Sequence, residues 1–170
     1  MPTPRFVTEI RALIGKHPLW LSVATAVVLD DQGQVLLQHR ADTRVWALPG
    51  GIIDPAEEPA DAAVRECFEE TGVVVEPEVL TSVSVSPPVT YANGDQVQYL
   101  ELAFRCRPVG GTARVNDEES IAVGWYPLGA LPELDKGGRS LRLLNHALQN
   151  TGPVAFHFSG LTEVLGQPYL

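Results

Sequence analysis

Three glutamates crowd one short stretch of this chain: Glu66, Glu69 and Glu70, inside AAVRECFEETGV (62–73). On a helix, positions i, i+3 and i+4 share one face, so the three carboxylates would stand side by side. Like charges at that spacing cost about 0.2–0.5 kcal/mol per pair. A bare E-x-x-E-E is ordinarily a solvated acidic helix face. The chemical alternative is a row of hard oxygen ligands, which suits Mg²⁺ or Mn²⁺. A bound cation turns the repulsion into affinity, and it would neutralise a polyphosphate brought against it.

The surrounding residues read as elements able to hold such a row. From about Pro59 to Thr71 the pattern is helical, with proline acceptable in the first turn and Gly72 suited to the C′ position. At about 100° per residue, Ala60, Ala63, Val64, Cys67 and Phe68 fall on a flank beside the acidic stripe, so the helix has a core side. Upstream, WALPGGIID (46–54) contains Pro49, Gly50 and Gly51, which interrupt regular structure and allow close backbone approach. SVATAVVL (22–29) and Gln34–Arg40 read as strands joined by DDQG into a hairpin with a buried centre. PRFVTEIRALIG (4–15) reads as a short amphipathic helix, with Phe6, Ile10 and Leu13 at helical spacing.

Val73–Val75 and Val79–Val85 read as separate strands, and YANGD (91–95) as an Asn-Gly turn. Gln96–Arg107 alternates as a strand, with Leu100, Leu102, Phe104 and Cys106 on one face. Its other face carries Val97, Tyr99, Glu101 and Ala103. Pro108–Gly111 reads as a turn, Ile121–Tyr126 as a strand, and Arg139–Gln149 as a helix. VAFHF (154–158) fits one more strand or a packed tail. The expected architecture is a mixed β-sheet between helices, an α/β sandwich in a single domain spanning 1–170.

Taken in order, the frame over 51–73 is Gly51, five residues, Glu57, seven residues, Arg65-Glu66, Cys67, one residue, Glu69-Glu70, one residue, Gly72-Val73. It resembles the signature of the Nudix hydrolases, the MutT-like family, G-x5-E-x7-R-E-U-x-E-E-x-G-U with U bulky and aliphatic. Every fixed position matches; the one departure is Cys67 at an aliphatic position. The resemblance implies a Nudix-type α/β/α sandwich over residues 21–150 and a metal-dependent hydrolase that cleaves a pyrophosphate bond in a nucleoside diphosphate linked to another group. It assigns the metal to Glu66, Glu69 and Glu70, helped by a backbone carbonyl of Gly51 or Gly50. Arg65, Glu57 and Gly72 take structural roles. Glu66, Glu69 or a glutamate of a distant loop would be the general base. Glu118 and Glu119 are the loop candidates here; Glu119 is favoured, with an exposed acidic turn as the plain alternative.

Around this frame, Arg40 and Arg44 sit where guanidinium forks would meet phosphate, although each is also explained as an ordinary exposed arginine. Tyr99, and less so Tyr91, suit stacking on a base or a bond to ribose. Trp46 and Trp125 read as packing residues. His17, His39, His146 and His157 share no ligand spacing. Cys67 and Cys106 form no CxxC pair and read as buried free thiols. Residues 1–20 are expected to be a helical addition that caps the sheet or makes a homodimer contact.

With 12 Lys and Arg against 21 Asp and Glu, the formal charge of −9 argues against nucleic acid or anionic membrane as a partner. No apolar run approaches a membrane span, and the charges of the first twenty residues break any signal-like stretch, so a cytoplasmic setting is expected. A nucleotide-sensing module without turnover and an isoprenyl diphosphate isomerase are the competing functions. The isomerase needs a reactive cysteine, and the sensors carry a further DNA-binding unit. Replacing Glu70 with Gln is expected to abolish metal-dependent phosphate release while circular dichroism shows the fold retained; undiminished turnover would remove Glu70 from the site.

Overall fold

The computed structural model describes residues 3–135, 137–149 and 154–156. In chain order its elements are α1 (Arg5–Ile14), β1 (Leu19–Val28), β2 (Gln34–Arg40), β3 (Trp46–Ala47), β4 (Gly50–Ile52), α2 (Pro59–Thr71), β5 (Val73–Val85), β6 (Val89–Thr90), β7 (Gln96–Gly111), β8 (Ser120–Pro127), α3 (Arg139–Gln149) and β9 (Ala155–Phe156). One sheet runs β4-β1-β7-β5-β9, with β6 paired to the start of β7; a second runs β3-β2-β8. The larger sheet is mixed: β1 is parallel to β7 and antiparallel to β4, β5 is antiparallel to β7, and β9 is parallel to β5.

Strand β1 is buried on both faces, as its near-continuous apolar run requires. Ala24, Ala26 and Val28 face α2, where they meet Ala62, Ala63 and Cys67. Val27 turns the other way, joining Ala103 of β7 and Leu143, Leu144 and Ala147 of α3. Leu21 and Val97 lie against Val7 of α1. Helix α2 therefore covers one face and α1 with α3 the other, the expected α/β/α sandwich. Leu36, Leu37, Leu143 and Leu144 are fully buried, and each contributes about 1.5–3 kcal/mol by leaving water.

Three local expectations are corrected. Strands β1 and β2 do not form a hairpin: after one bridge, Leu29 to Val35, they diverge into different sheets. Both edges of β1 are taken by β4 and β7, so β2 pairs with β3 and β8 instead. The Asp30 turn itself forms, with Oδ1 accepting the N–H groups of Gln32 (2.9 Å) and Gln34 (2.7 Å). Val73–Val75 and Val79–Val85 make one strand, since shifts in register on either side of Pro77 absorb its missing donor. Residues Pro108–Gly111 continue β7 and are no turn, because the first residues of β5 need ladder partners: Val73 pairs with Gly111 and Val74 with Gly110. Of VAFHF, Ala155–Phe156 adds an edge strand, while His157 lies outside the described residues.

The alternation of β7 holds with a polar exception at its centre. Glu101 is 2 % exposed, a carboxylate in a strand interior that is tolerable only if paired. Its Oε1 accepts from Arg139 Nε (2.5 Å) and its Oε2 from Arg142 Nη2 (2.7 Å) and Ser84 Oγ (3.1 Å). Arg139 also donates to Thr25 Oγ1 (2.8 Å), so one carboxylate ties α3 to β1, β5 and β7. Burial alone would raise its pKa, yet the two guanidinium groups hold it below the usual carboxylate range. Glu101→Gln is expected to cost at least about 2 kcal/mol, because it removes the charge that both arginines answer; urea unfolding of the variant measures this.

Candidate active site

The acidic row occupies one side of α2 as the spacing requires. The helix starts at Pro59 and ends on Gly72, whose φ of 70° is the left-handed conformation that glycine takes without strain; its N–H reaches Phe68 O at 2.9 Å. In the structure the counter-charge to the row is Arg65. Its Nη1 donates to Glu66 Oε1 (2.7 Å) and Glu69 Oε2 (3.2 Å). Nε and Nη2 grip Glu57 at both oxygens (2.7 and 2.9 Å), and Nη2 also donates to Ile52 O at 3.2 Å. Glu57 Oε2 in turn accepts the Asp54 N–H (3.0 Å), which closes the loop onto the helix.

The carboxylates differ sharply in setting. Glu69 stands in solvent, whereas Glu66 and Glu70 are 4 % and 1 % exposed. Burial pushes the Glu66 carboxyl up to about 7, with Arg65 opposing and Glu69 and Glu119 adding to it. Burial also pushes Glu70 up to about 8, against the pull of the Gln38 amide and the Gly50 N–H. Glu70 Oε2 accepts that N–H at 2.8 Å, but Oε1 is buried with no hydrogen-bond partner among the described residues. Gln38, fully buried on β2, accepts from Ser120 Oγ at 2.6 Å, which turns its amide nitrogen toward Glu70.

Ladder alternation sets the two glycine carbonyls apart. Ala26 N donates to Pro49 O and Ile53 N to Ser22 O, both at 3.0 Å. The pair between them in the register, Ala24 with Gly51, is therefore the hydrogen-bonded kind, and Gly51 O is spent on β1. Gly50 lies in the alternate position at the sheet edge, and its N–H points to Glu70. Gly50 is thus better placed than Gly51 to offer a free carbonyl. It also has no room for a side chain: a Cβ there would lie 2.4 Å from Ala24 O and 2.8 Å from Thr25 Cα.

Glu119 lines a cleft of about 600 Å³ together with Arg65, Glu66 and Glu69. Its backbone is fixed by Asp117 Oδ1 at 3.0 Å and by the Ala41 N–H to Glu119 O at 2.7 Å. Glu118, the other loop candidate, points to solvent. Arg40 holds Asp42 in a two-bond fork (3.0 and 2.8 Å) and lies in the field of Glu70 and Glu119. Arg44 is exposed at φ 57°, and its side chain makes no ion pair among the described residues. Tyr99 is half-buried under α1, and its hydroxyl is 2.7 Å from that of Tyr91. Trp46 packs between His39 and Tyr126, and Trp125 against the α2 core. Cys67 and Cys106 are buried, with thiols pushed up to about 12, so neither supplies the nucleophile that an isomerase needs.

Gln38, Thr25, Glu101 and Arg139 escaped the sequence reading. The visible signal was a lone polar residue inside an apolar strand, as in VLLQHR and YLELAF. Among the described residues, no three acidic, imidazole or thiol side chains converge as a finished cation cage, and Glu66 and Glu69 are both held by Arg65. The donor set nevertheless fits a hard divalent cation: every candidate ligand atom is oxygen, and Glu70 Oε1 is a buried acceptor that completes no hydrogen bond among the described residues.

Sandwich, glycine loop and acidic helix together define a class of enzyme, the hydrolases of phosphoanhydrides. The family model described as the NUDIX domain matches residues 19–146, and the chain belongs to the Nudix family. It is 39% identical to a MutT-like protein of Streptomyces ambofaciens over 78% of this chain and 79% of that one. A Homo sapiens protein named as an 8-oxo-dGDP phosphatase is 35% identical over 75% of this chain, which spans only 38% of it. A solved ADP-ribose pyrophosphatase from Streptococcus suis superposes with a TM-score of 0.63 at 26% identity, covering 82% of this chain and 98% of that one. The protein is accordingly a Nudix pyrophosphohydrolase. Among the described residues, no helix is long and apolar enough to cross a membrane.

The raised pKa values of Glu66 and Glu70 carry a sign for stability. A carboxyl raised above its unfolded value of about 4.5 stabilises below that pH and loses the contribution as pH rises through the folded value. Glu57 and Asp42, lowered by Arg65 and Arg40 respectively, act oppositely and lose theirs on acidification. The metal-free protein is therefore expected to be most stable near pH 5 and to lose on the order of a few kcal/mol towards pH 8. Glu70→Gln should flatten that fall. Thermal unfolding in EDTA across the range is the measurement.

Proposed function

We propose that this enzyme depends on Mg²⁺ or Mn²⁺ and cleaves the pyrophosphate bond of a nucleoside diphosphate linked to a further group. The observation that carries the reading is the buried Glu70 carboxylate, whose Oε1 closes no hydrogen bond among the described residues although the Gln38 amide is turned toward it, beside Glu66 and the Gly50 edge. Glu66, Glu69, Glu70 and the Gly50 carbonyl would hold the cation. Bound there, it would supply positive charge to the phosphate oxygens and lower the pKa of an attacking water.

The remaining work falls to the protein. Arg65 keeps its grip on Glu57 and Ile52 O while its bonds to Glu66 and Glu69 give way, so the loop stays fixed as those carboxylates turn. Arg40, in the field of Glu70 and Glu119, adds positive charge near them, and its guanidinium suits phosphate oxygens. Glu119, which lines the cleft with Glu66 and Glu69, takes the proton of the attacking water. The water oxygen bonds to phosphorus, the bridging P–O bond breaks, and the products are a nucleoside monophosphate or another phosphorylated fragment plus the second half. Tyr99 and Arg44, the other two candidate substrate contacts, do not line this cleft.

The names of the relatives guide the choice of compounds. Phosphate or nucleotide release is measured from dGTP, 8-oxo-dGDP, ADP-ribose and a nucleotide sugar, with Mg²⁺, with Mn²⁺ and with EDTA. Release from at least one compound that EDTA abolishes is expected, with ¹⁸O from labelled water entering one product. Glu119→Gln should lower kcat about 10²–10⁴-fold, the range for losing a general base. Failure of every compound in the panel would leave a binding module on this fold.

A further inference from the structure

The family match begins at residue 19, yet the cleft beside the acidic helix is finished by residues before it. Pro4, Arg5, Phe6 and Glu9 of the α1 segment form a wall facing Arg65, Glu66, Glu69 and Glu119. This wall is anchored. Val7 is buried against Leu21 and Val97, and Phe6 packs on the same cluster. Arg11, with little exposure, donates to Gly15 O (3.0 Å), His17 O (2.6 Å) and Gln96 O (2.8 Å). Lys16 Nζ reaches Asn93 O at 2.7 Å. The first turn of α1 cannot swing off the cleft without uncovering Val7.

The charges on this wall are arranged for exchange. Across the cleft the acids dominate, and Arg65 is committed to Glu57 by two bonds. Arg5 is 92 % exposed and, among the described residues, tied only to Glu9, an exposed i,i+4 pair at 2.7 Å. Such a pair yields readily to a stronger anion, and a guanidinium takes phosphate oxygens in a fork.

We propose that α1 is a substrate-selecting wall, in which Arg5 leaves Glu9 to hold an anionic group at the substrate's outer end. Substrates ending in charged phosphate are thereby preferred over those ending in a neutral sugar. The proposal rests on the cleft being the pyrophosphate site. Glu9 serves as the placeholder that keeps the arginine extended towards the cleft when no substrate is present.

The test compares wild type, Arg5→Ala, Arg5→Lys and Glu9→Ala on dGTP and ADP-ribose with Mg²⁺, reading KM and kcat separately, or Ki where one compound only competes with the other. Arg5→Ala is expected to raise the dGTP constant about tenfold, with kcat, the ADP-ribose constant and the melting temperature unchanged. Arg5→Lys should recover part of the loss, and Glu9→Ala should tighten dGTP. Equal constants for dGTP in wild type and Arg5→Ala overturn the proposal, as does an equal loss for both compounds. If wild type turns over nothing, the hydrolase reading fails by itself. Calorimetric titration of dGTP into wild type and Arg5→Ala then decides the role of Arg5, with equal Kd values overturning it.

Discussion

The five donors of Arg65 are shared among Glu57, Glu66, Glu69 and a backbone carbonyl, and the site takes its shape from that division. Without this one cation, the acidic side of α2 would be a row of like charges on a helix end that lacks even a basic residue in its last turn. Bidentate contact with Glu57 fixes the guanidinium plane, so the same group both neutralises the row and nails the glycine loop to the helix. A lysine could provide the charge but not the fork. Structure and the acidic row are thereby joined: the residue that offsets the like charges along the helix is also the one that holds Glu66 and Glu69 in place.

The rest of the sandwich can be seen as support for that arrangement. Small side chains, Ala24, Ala26, Ala62, Ala63 and Cys67, let α2 approach β1 closely, which brings Glu70 under the edge of β4. On the opposite face, Glu101 performs for α3 what Arg65 performs for α2, with the signs reversed: one buried anion gathers two arginines and fixes a helix to three strands. The two clusters lie on either side of the same strands, β1 and β7, whose alternation delivers neighbouring residues to different chemistry.

Much of this was legible in the sequence. The acidic row, its helix and its cap residue followed from spacing alone, because helical periodicity and local turn chemistry do not depend on distant partners. The burial of both cysteines followed from their apolar neighbourhoods. Pairing was harder to read. Whether β2 zips onto β1 depends on which strands compete for β1's edges, and β4 and β7 lie far along the chain. The continuous β5 was hidden by Pro77, since a bulge that forgives a proline leaves no trace in propensity. Glu101 showed only as a charge in an apolar strand; its partners, Arg139 and Arg142, are supplied by a helix 38 and 41 residues on. The choice between Gly50 and Gly51 turned on ladder parity, which needs a register before it has meaning.

The lack of room around Gly50 has a mechanical consequence. With backbone atoms of Ala24 and Thr25 in the space that even a methyl group would need, the loop that borders the acidic helix is seated directly on β1. A residue with any side chain at position 50 would push this loop off β1, so the absence of a Cβ there sets how near the main chain comes to the acidic helix.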